Sequence, residues 1–257
     1  MGEDWGAAVR LGVDIGGSGV KAAPVDLLRG TFAAERFRIS TPDPSTPQAV
    51  ADVVAKLVEH FEWTGPIGTT FPAVVQNGAA RTAANVDEGW VDCDVAALFT
   101  QSTGCDFTVV NDADAAGLAE LEFGAAREQP GVVLLLTLGT GIGSALLVDG
   151  VLVPNTELGH LDVRGKSAET RASDRVREDK DLGWEEWAER LSDVLREYER
   201  LLWPDLIVLG GGVSKKADKF IPLLDVRTPV VPAELRNEAG IVGAALASAR
   251  QRHFHVS

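Results

Sequence analysis

Two stretches of the 257-residue chain share one hydrophobic signature. Residues 11–26 (LGVDIGGSGVKAAPVD) and 134–150 (LLLTLGTGIGSALLVDG) each run from an apolar segment through a glycine cluster into a second apolar segment. That order predicts a β-hairpin closed by a glycine turn. Its recurrence after about half the chain predicts two related lobes and not a solenoid.

Between the repeats the period changes. Val50, Val53, Val54, Leu57, Val58 and Phe61 recur at helical spacing, which predicts an amphipathic helix over 48–61. Residues 66–75 return to strand character, 108–110 form a short strand ending in the polar NDAD, and 113–122 are helical in composition. In the second half Trp187, Leu191, Val194, Leu195, Tyr198 and Leu201 predict a long helix over 184–203. A buried strand follows at 206–209, running into glycines 210–212, and an Ala-rich helix closes the pattern at 238–251. The TPDPSTP stretch at 41–47 is a stiff loop, and the charged run 164–180 is expected to be exposed. Strands mixed with helices make an α/β protein. The expected lobes are 1–111 with 241–257, and 112–240, each on a five-stranded sheet.

Composition narrows the function classes. Apolar residues make up 45% of the chain and no low-complexity tract interrupts it, so it folds. The longest apolar run, 132–136, is too short for a bilayer, and the acidic start MGEDWG does not resemble a signal peptide. No membrane partner and a cytoplasmic location are the expectation. Two cysteines, Cys93 and Cys105, make neither a disulfide framework nor a CxxC pair. A net charge of −14 argues against nucleic acid as a partner. It also requires that any phosphate be held by local donors: main-chain N–H groups, a few Lys or Arg, and a bound cation.

The glycine clusters supply such donors. In Asp14-Ile15-Gly16-Gly17-Ser18-Gly19 the glycines let main-chain N–H groups approach an anion, and the carboxylate can hold a hydrated Mg²⁺ beside it. Gly139-Thr140-Gly141-Ile142-Gly143 repeats the construction, and Gly210-Gly211-Gly212 is a third glycine turn after a strand. Plain tight turns are the bland alternative for each. The second cluster spells GxGxG and is not followed by a helix pattern, so it is no dinucleotide fingerprint. Gly165-Lys166-Ser167 ends like a Walker loop, but His160 stands where the first glycine belongs.

At the strand end Asn111-Asp112-Ala113-Asp114, Asp112 can either cap the following helix or act as a general base toward an attacking hydroxyl. Asn85, Asn111, Glu157, His160 and Glu169 are the amides, carboxylates and imidazole available for sugar hydroxyls. Glu157 and His160 are too few to be read as a metal site.

With these motifs the chain resembles the ROK family of sugar kinases and repressors. DIGGSGVK and LTLGTGIGSALLVDG match its two phosphate loops, and LGGGVS its nucleotide-side turn. NEAGIVGAAL matches its hinge-side helix, VNDADAAG its catalytic strand end and ELGH its sugar motif. The resemblance covers nearly the whole chain. It implies an actin-like (ribonuclease H-like) ATPase/hexokinase fold with two lobes around a cleft. By position it makes Asp112 the general base, and Asn85, Asn111, Glu157, His160 and Glu169 the sugar ligands. Donor phosphates would meet Gly16, Gly17, Ser18, Gly19, Lys21, Thr140, Gly141, Gly211 and Gly212, with Mg²⁺ near Asp14. The family's cysteine-rich zinc loop after ELGH is absent, since GHLDVRGKSAETRAS runs straight through, so no zinc site is expected. In this respect, and in TAANVDEGW, the chain resembles the polyphosphate-using branch of actinobacteria. That implies glucose or a related hexose such as mannose as acceptor, inorganic polyphosphate or ATP as donor, and a homodimer. Lys21, Arg81, Lys215, Lys216 and Lys219 are candidates to track a long polyanion. A sugar sensor or regulator without kinase activity is the alternative. The family's repressors carry a DNA-binding domain ahead of the first phosphate loop, where this chain has thirteen residues before Asp14.

Overall fold

The computed structural model describes residues 5–83 and 86–250. The strands in chain order are β1 (Val9–Gly16), β2 (Gly19–Asp26), β3 (Thr31–Phe32), β4 (Phe37–Ile39), β5 (Ile67–Phe71), β6 (Val75–Gln76), β7 (Ala79–Ala80) and β8 (Phe107–Asn111). They continue as β9 (Val132–Leu138), β10 (Ile142–Val148), β11 (Val151–Val153), β12 (Asp162–Val163), β13 (Lys166–Ser167), β14 (Leu206–Gly210) and β15 (Val230–Pro232). The helices are α1 (Pro47–His60), α2 (Val95–Thr103), α3 (Asp112–Phe123), α4 (Ala168–Ala172), α5 (Asp174–Asp179), α6 (Trp184–Leu202), α7 (Ala217–Phe220) and α8 (Ala239–Arg250). The chain divides into two compact units. One runs to Ala119 and resumes at Glu238; the other is Glu120–Asn237. Among the described residues no helix is long and apolar enough to cross a membrane.

In the first unit β1 and β2 form the expected antiparallel hairpin, with Gly16 opposite Gly19 across the Gly17-Ser18 turn. β5 and β8 extend the sheet in parallel, giving the order β2-β1-β5-β8. The sheet has six strands instead of the expected five, because β3 and β4 both pair with the outer edge of β2. Pro24 explains the split. Its carbonyl points outward to the Ala33 N–H (2.8 Å), so the N–H it lacks would lie on that same edge, and no single partner strand can run past it.

Alternation along β1 sends Leu11, Val13 and Ile15 to one face, where they are buried with Val50, Val54 and Leu57 of α1 and with Trp90 and Phe99. Thr46 caps α1 and Pro47 opens it, as the helix-start pattern requires. The opposite face receives α8. Gly12 and Gly68 are register partners on β1 and β5, and a Cβ on either would collide with the α8 backbone at Ile241 and Ala244. The glycine pair is therefore a flat patch on which a helix lies at backbone contact. Gly243 of α8 meets the carbonyl of Ala115 in α3 in the same way, so α8 is buried on nearly every side.

The second unit repeats the scheme. β9 and β10 form the hairpin, β14 and β15 follow in parallel, and β11 lies on the outer edge, in the order β11-β10-β9-β14-β15. One stripe of α6, with Trp187, Leu191, Val194, Leu195 and Tyr198, buries against Leu134, Leu136, Ile207 and Leu209. α6 ends where Trp203 takes φ 49° and Pro204 follows.

The charged run 164–180 meets expectation in part: Arg164, Lys166, Arg175 and 178–180 are exposed. It folds into β13, α4 and α5, with Ala168, Ala172 and Ser173 buried. Arg171 and Arg177 are largely covered, their charges met by Asp193 and Asp174. Long cationic side chains can cover a core with their stems while their heads are paired. The strand expected over 66–75 stops at Phe71, and Val75–Gln76 pairs separately with Ala79–Ala80.

Candidate active site

In the first unit the glycine turn carries its own braces. The Thr41 hydroxyl donates to the Gly16 carbonyl (2.6 Å) and Arg38 donates to the Ser18 carbonyl (2.5 Å). The Arg38 guanidinium lies where a Cβ on Gly19 would be. Gly17 is different: its φ is not in the left-handed region, and among the described residues nothing beyond its two chain neighbours lies within 4 Å of where its Cβ would stand. The fold gives no reason for glycine there, whereas an anion resting on the main chain does.

Asp14, on β1, is held by Thr70 of β5, whose hydroxyl donates to Oδ1 (3.0 Å) while accepting from the Ile15 N–H (3.0 Å). Its other oxygen pairs with Lys21 at 3.4 Å. Gly240, in the first turn of α8, presses on the same carboxylate; a Cβ there would fall 2.9 Å from Oδ1. One fixed, partly exposed carboxylate beside a turn of main-chain donors suits Mg²⁺, which keeps most of its waters and takes one or two carboxylates plus phosphate oxygens. Among the described residues no group of three or more His, Cys, Asp and Glu is arranged to hold a metal ion.

At the end of β8 the side chain of Asn111, not Asp112, caps α3. Its Oδ1 accepts from the N–H groups of Ala113 (2.9 Å) and Asp114 (3.2 Å), and its Nδ2 donates to the Ala73 carbonyl (3.0 Å). Asn111 is buried and Asp112 is exposed, with Oδ1 accepting from Ala113 N–H (2.9 Å). The cap therefore leaves the Asp112 carboxylate at a helix start, facing outward. Asn85 lies outside the described residues.

In the second unit the β9–β10 turn is closed by the Gly139 N–H donating to the Gly141 carbonyl (3.1 Å), and the Arg175 N–H at the start of α5 donates to the Gly139 carbonyl (3.1 Å). Thr140, at its tip, is exposed. Glu157 precedes a 3-10 turn, Leu158–His160, packed so closely on β10 that a Cβ on Gly159 would strike the Ile142 carbonyl. The Ser144 hydroxyl accepts from the Leu158 N–H (3.1 Å), and the buried Tyr198 hydroxyl donates to the Leu158 carbonyl (2.9 Å). Burial first, and the Glu169 charge second, push the Tyr198 phenol well above its ordinary pKa, so it stays a donor.

His160 joins the two glutamates, with Nε2 3.5 Å from Glu157 and Nδ1 3.5 Å from Glu169. Glu169, in α4, also occupies the space beside Gly141, so the polar cluster and the glycine turn share a wall. Burial pushes the Glu157 carboxyl above the usual carboxylate range; His160 opposes this and Glu169 adds to it. Gly211 has a reason in the fold, with φ 83° and the backbone of Leu138 against it, but Gly212 has open space like Gly17.

Of the residues expected to track a polyanion, Lys21 pairs with Asp14 and Arg81 with Asp92 (2.8 Å). Lys216 and Lys219 lie over the Trp184 ring, at 5.7 and 6.0 Å, and Lys215 is exposed. Sequence reasoning missed Thr70, Thr41 and Arg38. The signal for Thr70 was a polar pair, Thr69-Thr70, inside a fully buried strand.

Two sheets of one strand order, each opening on a hairpin with a glycine turn, define the α/β fold of the actin-like sugar kinases. A sequence model of the ROK family matches residues 10–172, and the chain belongs to that family. It is 52% identical over 239 residues to a polyphosphate glucokinase of Mycobacterium tuberculosis, covering 93% of this chain and 90% of that protein. It is similar to the crystal structure of an inorganic polyphosphate/ATP-glucomannokinase from Arthrobacter sp. strain KM. There the TM-score is 0.91 and the identity 49%, over 95% of this chain and 99% of that one. A ROK family glucokinase from Streptomyces griseus, solved with glucose and AMPPNP, shares the fold with a TM-score of 0.81 at 23% identity, over 94% and 99% of the two chains.

Proposed function

We propose that the chain is a hexose kinase that phosphorylates the 6-hydroxyl of glucose, and of mannose, with inorganic polyphosphate or ATP as donor. The observation that carries this is 52% identity to a polyphosphate glucokinase across nearly the full length of both chains. Its support in the geometry is the pairing of glycine turns that the fold itself does not require with carboxylates and an imidazole suited to vicinal hydroxyls.

In this reading Asn111, Glu157, His160 and Glu169, with Asn85, hold the sugar. The Asp112 carboxylate takes the proton from the 6-hydroxyl as that oxygen attacks the terminal phosphorus. The bond from phosphorus to the bridging oxygen breaks, and its electron pair leaves with ADP or with a polyphosphate shorter by one unit. Main-chain N–H groups at 16–19, 140–141 and 211–212 steady the donor's phosphates without carrying charge themselves. Asp14 would hold Mg²⁺, which when bound supplies neutralisation of the donor's phosphate oxygens. Asn111 orients the base by fixing the helix start.

We place the enzyme in the cytoplasm. Both cysteines are free thiols, and burial pushes them up toward the protonated, unreactive form. The homodimer rests on the family resemblance.

The test is initial rates of hexose 6-phosphate formation with glucose and mannose, each against polyphosphate and ATP. Asp112→Asn is expected to lower kcat by ~10²–10⁴-fold, the range of general-base catalysis, with little change in glucose KM. Full turnover by that variant removes the mechanism. Hexose binding without turnover by the parent would favour the sensor reading.

A further inference from the structure

The second unit carries a cavity of about 370 Å³ that the chemistry above does not use. Its basic lining is Arg164 and Lys166 on the β12–β13 hairpin, Arg171 of α4, Lys180 at the end of α5, and Arg190 of α6. Three carboxylates of α6, Glu186, Glu189 and Asp193, face them at helical spacing. Five cations against three anions is an inversion of sign in a chain whose net charge is −14.

The acids do not neutralise the basic side chains one by one. Asp193, buried, serves three guanidinia at once: Arg171, Arg164 (2.9 Å) and Arg196 (2.8 Å). Burial alone would raise its carboxyl, but the hydrogen bonds from Arg171 and Arg196 and the charge of Arg164 outweigh that and hold it below the usual range. Glu186 is taken by Arg190 (2.7 Å). Lys166 and Lys180 are exposed and, among the described residues, have no carboxylate within ion-pair reach. The concave site thus holds surplus positive charge, which an anion relieves.

The elements that build the cavity also build the second glycine turn. α4 carries Glu169 against Gly141 and, two residues on, Arg171 in the cavity. α5 bonds the turn through Arg175 at one end and delivers Lys180 at the other, a rise of about 8 Å at ~1.5 Å per residue. A flexible polyanion gripped at residues 139–141 has only to follow one short helix to reach the cavity.

We propose that this cavity binds condensed phosphate, namely the stretch of the polyphosphate donor beyond the phosphates held at the glycine turns. The proposal rests on polyphosphate being a donor. ATP, whose phosphates are all used at the turns, has nothing to place there, so the cavity favours the long donor over the nucleotide.

The experiment uses the full chain and the double variant Lys166→Ala/Lys180→Ala. Both side chains are exposed and have no ion pair among the described residues, so the melting temperature should stay that of the parent. Initial rates are measured at saturating glucose with long-chain polyphosphate, tripolyphosphate and ATP, alongside equilibrium binding of tripolyphosphate. The KM for long-chain polyphosphate should rise roughly three- to tenfold, as for the loss of two exposed ion contacts, and the rise should shrink as salt screens the parent's contacts. The KM for ATP should not move. An unchanged KM for long-chain polyphosphate overturns the proposal, and so does an equal rise for ATP, which would mark a general field effect. Loss of tripolyphosphate binding without a change in KM also overturns it, because the ligand would then be free phosphate and not the donor chain. Failure of the parent to use polyphosphate at all, with ATP turnover intact, is a separate result that removes the donor reading itself.

Discussion

Thr70→Val isolates one hydroxyl. Threonine and valine have the same shape, and Thr70 is fully buried in β5, so the substitution exchanges O–H for CH₃ without opening a cavity. The parallel pairing of β1 with β5 runs only as far as Val13 and Thr69. One residue beyond, the Thr70 hydroxyl replaces the ladder, accepting from the Ile15 N–H and donating to Asp14, both at 3.0 Å. Its loss forfeits a bond to a charged acceptor, about 1.5–3 kcal/mol, and leaves a buried N–H without a partner, about 1–3 kcal/mol. Because the two share one atom they do not add fully, and a net loss of roughly 3 kcal/mol is expected. For a chain of this size that corresponds to a fall in Tm of roughly 6–12 °C. Asp14 also loses its brace, so the KM for ATP should rise several-fold while glucose KM holds. Thr70→Ser, which keeps the oxygen, should recover the donor KM even though it loses a methyl. Thermal unfolding by circular dichroism and a coupled kinase assay read both effects. A valine variant that melts with the parent and binds ATP equally well would refute the argument.

The glycines separate by cause. Gly17→Ala should leave Tm within about 2 °C, since space and φ permit a Cβ, yet raise the donor KM; Gly68→Ala should fail to fold, because its Cβ strikes the α8 backbone. Tyr198→Phe leaves the Leu158 carbonyl without its donor, at a cost of about 1–2 kcal/mol, and should raise glucose KM more than ATP KM, because Leu158 lies between Glu157 and His160. Glu157 is raised when folded, so its share of stability is present below the ordinary carboxylate pKa and is lost as pH rises through the folded value. Glu157→Gln should therefore melt progressively higher relative to the parent from pH 4 to neutrality. Asp193 is lowered, so its contribution is present above the unfolded pKa and is lost as pH falls through the folded one; Asp193→Asn should flatten the acid limb of the stability curve.

What the sequence made legible was whatever local period or composition encodes. The two hairpins, α1, α6 and α8 announce themselves by apolar spacing, and each lies within a few residues of where that spacing puts it. The split edge of β2 was hidden because Pro24 acts through the direction its missing N–H would take, which is a property of the sheet. In the run 164–180 charge density marks the exposed positions but hides the buried ones. Its alanines supply the buried face, and Arg171 and Arg177 end on carboxylates at Asp193 and Asp174. Among the candidate residues, Asn111 and Asp112 at a strand end, and Glu157, His160 and Glu169 around ELGH, could be picked out by residue type. Thr70 and Arg38 could not, since each gains its meaning from a partner far along the chain, 56 residues away for Asp14 and 20 for Ser18. Nor could spacing say that Asn111 rather than Asp112 caps α3, a choice made by side-chain direction at the strand end.

The contact of Gly240 with Asp14 has a consequence for the order of events during synthesis. Asp14, on β1, is made well before α8, the helix that backs it. Until residues 239–250 have left the ribosome, β1 and β5 expose the glycine patch that α8 will cover, and the turn at Gly17-Ser18 stands on an unfinished sheet. A nascent chain therefore has no competent kinase to offer, however well its second unit has already folded, and translational arrest ahead of Gly240 should yield a product that neither binds nucleotide nor resists protease.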